Sequence, residues 1–389
     1  MNPHKLTLMT VGGLLTAMLS GVMFAAPEAA KGAADKPAFP PLAPLGAVSD
    51  PVDNRMTPEK IALGKQLFWD NRLSGDGSMP CVSCHLPTLG WGDGGQISRG
   101  YPGTKHWRNS QTVLNSAFYN KYFWEGGVTS LEGQAPAAAE GAVAGNGDPS
   151  VMEMRLRHIP EYVTAFKQVF GSEWPRMNDA YRAIASFERT VISDANKVPF
   201  DRHANGDASA LGEPQARGMQ LFNGKAGCIQ CHNGPLASNQ KFYALGVPDL
   251  KDYQDDNLLQ ITHRWEIYQK GVPESEYRDG KTDEGYYYVT HNPKDKGKFR
   301  VPSLRELKYT GPFMHNGAFK TLPEVVAFYN AGGGKAGNKA ELLKPLKLSE
   351  DEQKDLAAFL EALSMDEPLV MDAPTLPPYA PLPAVADKE

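Results

Sequence analysis

Cys81-Val82-Ser83-Cys84-His85 and Cys228-Ile229-Gln230-Cys231-His232 are two copies of one pattern, C-x-x-C-H. This is the attachment pattern of haem c: the two thiols add across the vinyl groups, and the adjoining imidazole becomes an axial ligand of the iron. All four cysteines of the chain fall in these two strings. A four-cysteine zinc site or a pair of disulfides would use the same cysteines. Neither accounts for a histidine directly after the second cysteine both times.

Working outward, each pattern has a similar lead-in, Gly64-x-Gln66-Leu67-Phe68 before the first and Gly218-x-Gln220-Leu221-Phe222 before the second. This repeat predicts a mainly α fold of two cytochrome-c-like haem domains with loop-rich connections. The 38 glycines and 31 prolines among 389 residues agree with it, because a large cofactor supplies much of such a core. The expected domains are residues 45–200 and 205–368, divided in the polar stretch 193–213, with a Pro-rich, extended or loose tail over 369–389. Thr57-Pro58-Glu59-Lys60 starts one helix. Asn178 caps another that runs to 191. Thr321-Leu322-Pro323-Glu324 starts a short helix carrying Tyr329 and ended by Gly332-Gly333-Gly334. Ser349-x-x-Glu352 opens the last, which runs to 363. No strand pattern of any length is present.

Lys5 followed by an apolar run over residues 6–26, with small residues near 25–30, reads as a secretory signal and lead-in over residues 1–30. No later stretch could span a bilayer, so no membrane span is expected once the signal is removed. Haem is attached to this pattern outside the cytoplasm, so the expected location is the periplasm. A net charge of −5 gives no reason to expect a nucleic-acid partner.

Longer strings surround the two patterns. They are Leu73-Ser74-Gly75-Asp76-Gly77, Thr112-Val113-Leu114-Asn115, Phe123-Trp124-Glu125-Gly126-Gly127, Ser186-Phe187-Glu188-Arg189-Thr190, Val301-Pro302-Ser303-Leu304-Arg305 and Thr310-Gly311-Pro312-Phe313-Met314-His315-Asn316-Gly317. On these the chain resembles the bacterial di-haem cytochrome c peroxidase family, which includes the methylamine-utilisation protein MauG. The resemblance spans about residues 53–363.

The resemblance implies two covalently bound haem c groups. The His85 haem would be peroxidatic, and the His232 haem would pass electrons or share oxidising equivalents, with Trp124 between them. It implies one calcium ion held by the Asn109 side chain and the carbonyls of Thr310 and Pro312, oxygen ligands that suit calcium. Many members carry a blocking histidine where Tyr101 stands, so the first iron is expected open; His106 is a nearby alternative ligand or propionate partner. The family's distal Gln matches Gln134. Its distal Glu position holds Ala144, and Glu140 is the nearest carboxylate able to manage the protons of peroxide. His315 is expected in a structural role and Met314 in the core. Fourteen residues after His315 stands Tyr329, where the peroxide-detoxifying branch has a ligating Met and MauG-like proteins a ligating Tyr. A phenolate favours oxidised iron.

The function so implied is a periplasmic peroxidase of the MauG kind. It would use hydrogen peroxide to form high-valent haem and oxidise a small periplasmic redox protein, or an oxidisable Trp or Tyr of a protein substrate. The alternatives are a cytochrome c peroxidase that only detoxifies peroxide, or a non-enzymatic di-haem electron carrier with both irons filled on both faces.

Overall fold

The computed structural model describes residues 39–379 apart from Gly103, Asp252 and Gln254; the expectations for residues 1–30 and 380–389 lie outside them. Local capping sets the first helix: Thr57 accepts from the Lys60 N–H at 3.2 Å, and Pro58 opens α1 (Pro58–Trp69). There follow α2 (Leu131–Ala139), α3 (Pro149–Arg157), α4 (Pro160–Phe170), α5 (Met177–Glu188), α6 (Pro199–Ala204), α7 (Glu213–Asn223), β1 (Phe242–Ala244), α8 (Asn257–Gln269), α9 (Glu274–Tyr277), α10 (Tyr287–Thr290), β2 (Lys298–Arg300), α11 (Leu322–Asn330) and α12 (Glu350–Glu361). The fold is mainly helical, as expected. The strands pair antiparallel with Tyr243 opposite Phe299; three residues each are too few for an alternating pattern to register. Thr321 and Ser349 cap α11 and α12 through full capping boxes. Asn178 caps nothing: α5 begins a residue earlier, after Arg176, without a side-chain cap, and ends at Glu188.

The lead-in repeat is a repeat of packing. Gly64 of α1 lies against the Ala183 carbonyl of α5, so close that a Cβ would overlap the oxygen. Gly218 of α7 lies the same way against the Asp355 carbonyl of α12. Four residues beyond each glycine a phenylalanine meets its counterpart: Phe68 and Phe187 at 5.4 Å, Phe222 and Phe359 at 5.4 Å. Glycine is what lets two helices approach this closely. A second repeat follows. Tyr122 bridges Val128, and Phe313 bridges Phe319. Each pair closes a hairpin whose second residue, Phe123 or Met314, has positive φ. Each hairpin leads to a nine-residue helix, α2 capped by Ser130 and α11 capped by Thr321.

One apolar core gathers around Leu67, Phe68, Trp91, Tyr162, Phe166 and Phe187, a second around Phe222, Val326, Phe359 and Leu363. A buried chain joins the two regions: Asn115 Nδ2 donates to Ser193 Oγ at 2.8 Å, which donates to Glu306 Oε1 at 2.6 Å. The described part of the tail, residues 369–379, is docked at its start, for Trp91 Nε1 donates to the Leu369 carbonyl at 2.8 Å.

Candidate active site

Both C-x-x-C-H strings open onto one cavity of about 980 Å³. His85 Nδ1 lies 3.1 Å from the Trp91 carbonyl, and His232 Nδ1 lies 3.0 Å from the Ala237 carbonyl. A carbonyl only accepts, so each Nδ1 carries the ring proton and each Nε2 keeps its lone pair free for a metal. Burial holds both imidazoles below their usual range, His232 down to about 4, so they are neutral. The turn that aims His232 is clamped by residues 301–305. Ser238 Oγ donates to the Val301 carbonyl at 2.6 Å, and Ser303 Oγ donates to Leu236 at 2.7 Å. Arg305 donates to Pro235 at 3.0 Å from a fully buried pair with Asp201.

The four cysteines form no disulfide in this structure. Among the described residues no group of three or more His, Cys, Asp or Glu is arranged to hold a metal ion. The arrangement therefore lends the zinc and disulfide alternatives no support. Two buried donors in the cavity wall, Trp107 Nε1 and Arg300 Nη1, have no acceptor among the described residues. The carboxylates of a haem are acceptors of the kind they lack, so this wall fits that cofactor.

The two nine-residue helices also line the cavity. The eighth residue of α11 is Tyr329, which lines the cavity and whose hydroxyl bonds to no described residue. Burial and the nearby Cys228 and Cys231 push that hydroxyl's pKa upward. The eighth residue of α2 is Ala138, also on the cavity wall. The fourth residues are Gln134 on α2 and Val325 on α11, both lining the cavity. Trp124 and His315 hold equivalent places in the two hairpins. Trp124 Nε1 donates to the Asn109 carbonyl at 3.0 Å, and His315 stacks on Phe299 at 3.6 Å. Asn109, Thr310 and Pro312 line the same wall.

Two expected residues stand elsewhere. Glu140 is exposed at the end of α2 and accepts from the Tyr181 hydroxyl at 2.8 Å; it is not among the residues lining the cavity. The helix ends before it, and its carboxylate is held by Tyr181 rather than turned into the cavity. Tyr101 leans on Gly75 and is also off the wall. His106 does line the cavity, but in the opposite tautomer to the other two histidines. Its Nδ1 accepts from the Arg108 N–H at 3.0 Å, so the neutral ring carries its proton on Nε2, and burial depresses its pKa to about 3. Such a ring donates a hydrogen bond through Nε2. Beneath it Arg108 bridges Asp283, at 2.5 Å, and Glu125, which Lys270 also holds at 2.7 Å. Arg108 and Lys270 keep the Glu125 carboxylate charged, with a pKa near about 2.

A carboxyl that sequence reasoning left without a role is Glu188. It lines the cavity, and its Oε2 is buried without a partner. It stands four residues after Ile184 on the buried side of α5, a spacing that places it with the apolar face.

A family model for di-haem cytochrome c peroxidase matches residues 58–209. Cytochrome-c peroxidase IdrP1 of Pseudomonas sp. (strain SCT) is 74% identical over 348 residues, 89% of this chain and 92% of that one. The chain belongs to the di-haem cytochrome c peroxidase family. The methylamine utilization protein MauG of Methylorubrum extorquens is 36% identical over 332 residues, 85% of each chain. A solved MauG-like protein associated with microbial copper homeostasis superposes with a TM-score of 0.68 at 29% identity, covering 85% of this chain and 95% of its own. As a member, the chain is a haem peroxidase with two haem c groups. No described helix is long and apolar enough to cross a membrane.

Proposed function

We propose that this di-haem peroxidase works with an open peroxide face at the His85 haem and a tyrosine-closed face at the His232 haem, the MauG-like arrangement. The supporting observation is the pair of equivalent helix positions, Ala138 against Tyr329. On this reading residues 45–200 and 205–368 are the two haem domains, in line with the two cores.

When bound, the haems supply the peroxide chemistry and the store of oxidising equivalents. Cys81 and Cys84 anchor one group and Cys228 and Cys231 the other, with Nε2 of His85 and of His232 as ligands. Ala137 and Ala138 leave room for peroxide beside the Gln134 amide, which can orient it. Trp107 Nε1, Arg300 Nη1 and His106 Nε2 are donors for anionic groups in the wall. Tyr329 supplies a hard oxygen donor that holds the second centre oxidised. Trp124, pinned through Asn109, lies on the wall common to both centres.

Asn109 Oδ1 and the carbonyls of Thr310 and Pro312 accept from no described donor, so three oxygens remain to hold a calcium ion. The leader-like start supports a periplasmic location, and the donor is then a small periplasmic redox protein. A protein substrate with an oxidisable Trp or Tyr is the second reading, favoured by Tyr329.

Paramagnetic resonance of the resting protein tests the open face: a high-spin signal without prior reduction is expected. Only low-spin signals, or a Met-like positive potential that Tyr329→Phe leaves unchanged, would refute the arrangement.

A further inference from the structure

The first cavity face lacks the acid its chemistry calls for. Ala144 lines the wall where a carboxyl would be expected, and Glu140 is held by Tyr181 off that wall. Peroxide cleavage still needs a group that holds a proton and gives it to the departing oxygen.

Glu188 ends α5, and its carboxyl forms no hydrogen bond with any described residue. Only 6% of the residue is exposed. The orphaned Ser116 Oγ lines the same cavity. Tyr122 connects the two: its hydroxyl donates to the Ser116 carbonyl at 3.1 Å, and it is electrostatically coupled to Glu188. The internal repeat shows what the position needs for packing alone. Ala183 and Phe187 correspond to Asp355 and Phe359 through the glycine crossings and the phenylalanine pairs. The next residue is Glu188 in the first half and Leu360 in the second, and both line the cavity. A leucine satisfies the frame. The first half instead carries a carboxyl with no protein partner, an arrangement that costs stability and so calls for another role.

We propose that Glu188 is the proton-holding acid of the peroxide face, taking the place left empty at Ala144. This deepens the peroxidase reading and rests on it. Burial raises the Glu188 pKa to about 8, so the group is uncharged at neutral pH. The groups that face it are Arg189 on its own helix, Glu132 from α2, Cys81 and Tyr122. Arg189 is occupied by Glu132 at 2.7 Å. α1 packs on α5 through Gly64 and Phe68 on Ala183 and Phe187, and its charged group there, Lys60, is coupled to Arg182 and Asp179 of α5. In the step, the O–O bond of peroxide breaks and its electron pair goes with the departing oxygen. That oxygen takes the Glu188 proton and leaves as water. The remaining oxygen of peroxide gives up its own proton to the Glu188 carboxylate so formed, which restores the acid, and the two oxidising equivalents would stay with the di-haem centre until the donor removes them.

The test is the rate of peroxide reaction in the holoenzyme on both sides of about pH 8. The wild-type rate should fall as pH rises through that value. Glu188→Gln should be at least about tenfold slower at neutral pH and lose the fall, with haem content unchanged. Glu188→Leu, copying the second half, should fold and take up both haems yet be equally slow. Glu188→Asp should restore part of the rate. A working enzyme in which Gln or Leu keeps both the rate and its pH dependence overturns the proposal alone. A holoenzyme that consumes no peroxide at any pH overturns the peroxidase reading and this proposal with it. Should neither variant take up haem, infrared difference spectra of the wild type decide: a protonated carboxyl that ionises near about pH 8 is expected, and its absence overturns the proposal.

Discussion

The two halves share a frame and differ in what they point into the cavity. Shared are the glycine crossings at Gly64 and Gly218, the pairs Phe68 with Phe187 and Phe222 with Phe359, and the hairpins leading to capped nine-residue helices. Different are Ala138 and Tyr329, Gln134 and Val325, Glu188 and Leu360, Trp124 and His315, all on the cavity wall. The first half has small and proton-bearing residues with a tryptophan; the second has apolar residues, one oxygen donor and a histidine. On the proposed reading, one scaffold serves two tasks through a few facing side chains.

The largest effect should come from giving the first half the residue of the second. Ala138→Tyr puts a phenol over the peroxide face, and turnover should fall at least about a hundredfold, about 2.7 kcal/mol of barrier. Steady-state peroxide consumption checks it, with haem content as the folding control. Undiminished turnover in a fully loaded protein would mean that peroxide binds elsewhere, and the correspondence of α2 with α11 would carry no functional meaning. The reciprocal change, Tyr329→Phe, removes the oxygen donor. The second potential should rise by on the order of 0.1 V, within the range of roughly 0.8 V that axial ligands control. A potentiometric titration with unshifted midpoints would refute Tyr329 ligation.

What was legible beforehand follows from range. Haem attachment needs five consecutive residues, and helix starts need four, so C-x-x-C-H and the caps at Thr57, Thr321 and Ser349 read directly. The ligand tautomers were not legible, since the Trp91 and Ala237 carbonyls are set by tertiary packing. Glu140 was misplaced because one residue past a helix end the chain direction is no longer fixed by periodicity. Glu188 was hidden for the opposite reason: beside Arg189 it resembles a solvated helix-end ion pair, and only the packing of α5 on α1 and α2 reveals the burial. The docking of the tail through Leu369 joins residues 278 apart in sequence, beyond any local pattern.

The shared frame makes a more modest prediction. Gly64→Ala and Gly218→Ala each push a methyl into a helix carbonyl, and each should cost roughly 1–3 kcal/mol. Thermal unfolding followed at the haem absorbance should show similar losses for both. A loss at one crossing only would mean that the two halves tolerate helix separation differently.

The smallest effect concerns the caps, where the halves are unequal. Thr321 accepts from the Glu324 N–H, while Glu324 Oε2 accepts from the N–H groups of Thr321, at 2.9 Å, and Lys320, at 2.7 Å. Ser130 has a single bond, from the Gly133 N–H at 3.1 Å, and α2 contains Pro136. Thr321→Ala should cost about 1 kcal/mol, and Ser130→Ala a similar amount. What they disturb should differ. Fraying α11 moves the helix that carries Tyr329, so Thr321→Ala should alter the second haem's spectrum on mild heating and leave the peroxide rate alone. Fraying α2 moves the helix that carries Gln134, so Ser130→Ala should slow the peroxide reaction by a factor of about two to five without touching that spectrum. If both variants change the same observable, the two helices do not serve separate haem faces, and the division of labour between the halves fails with them.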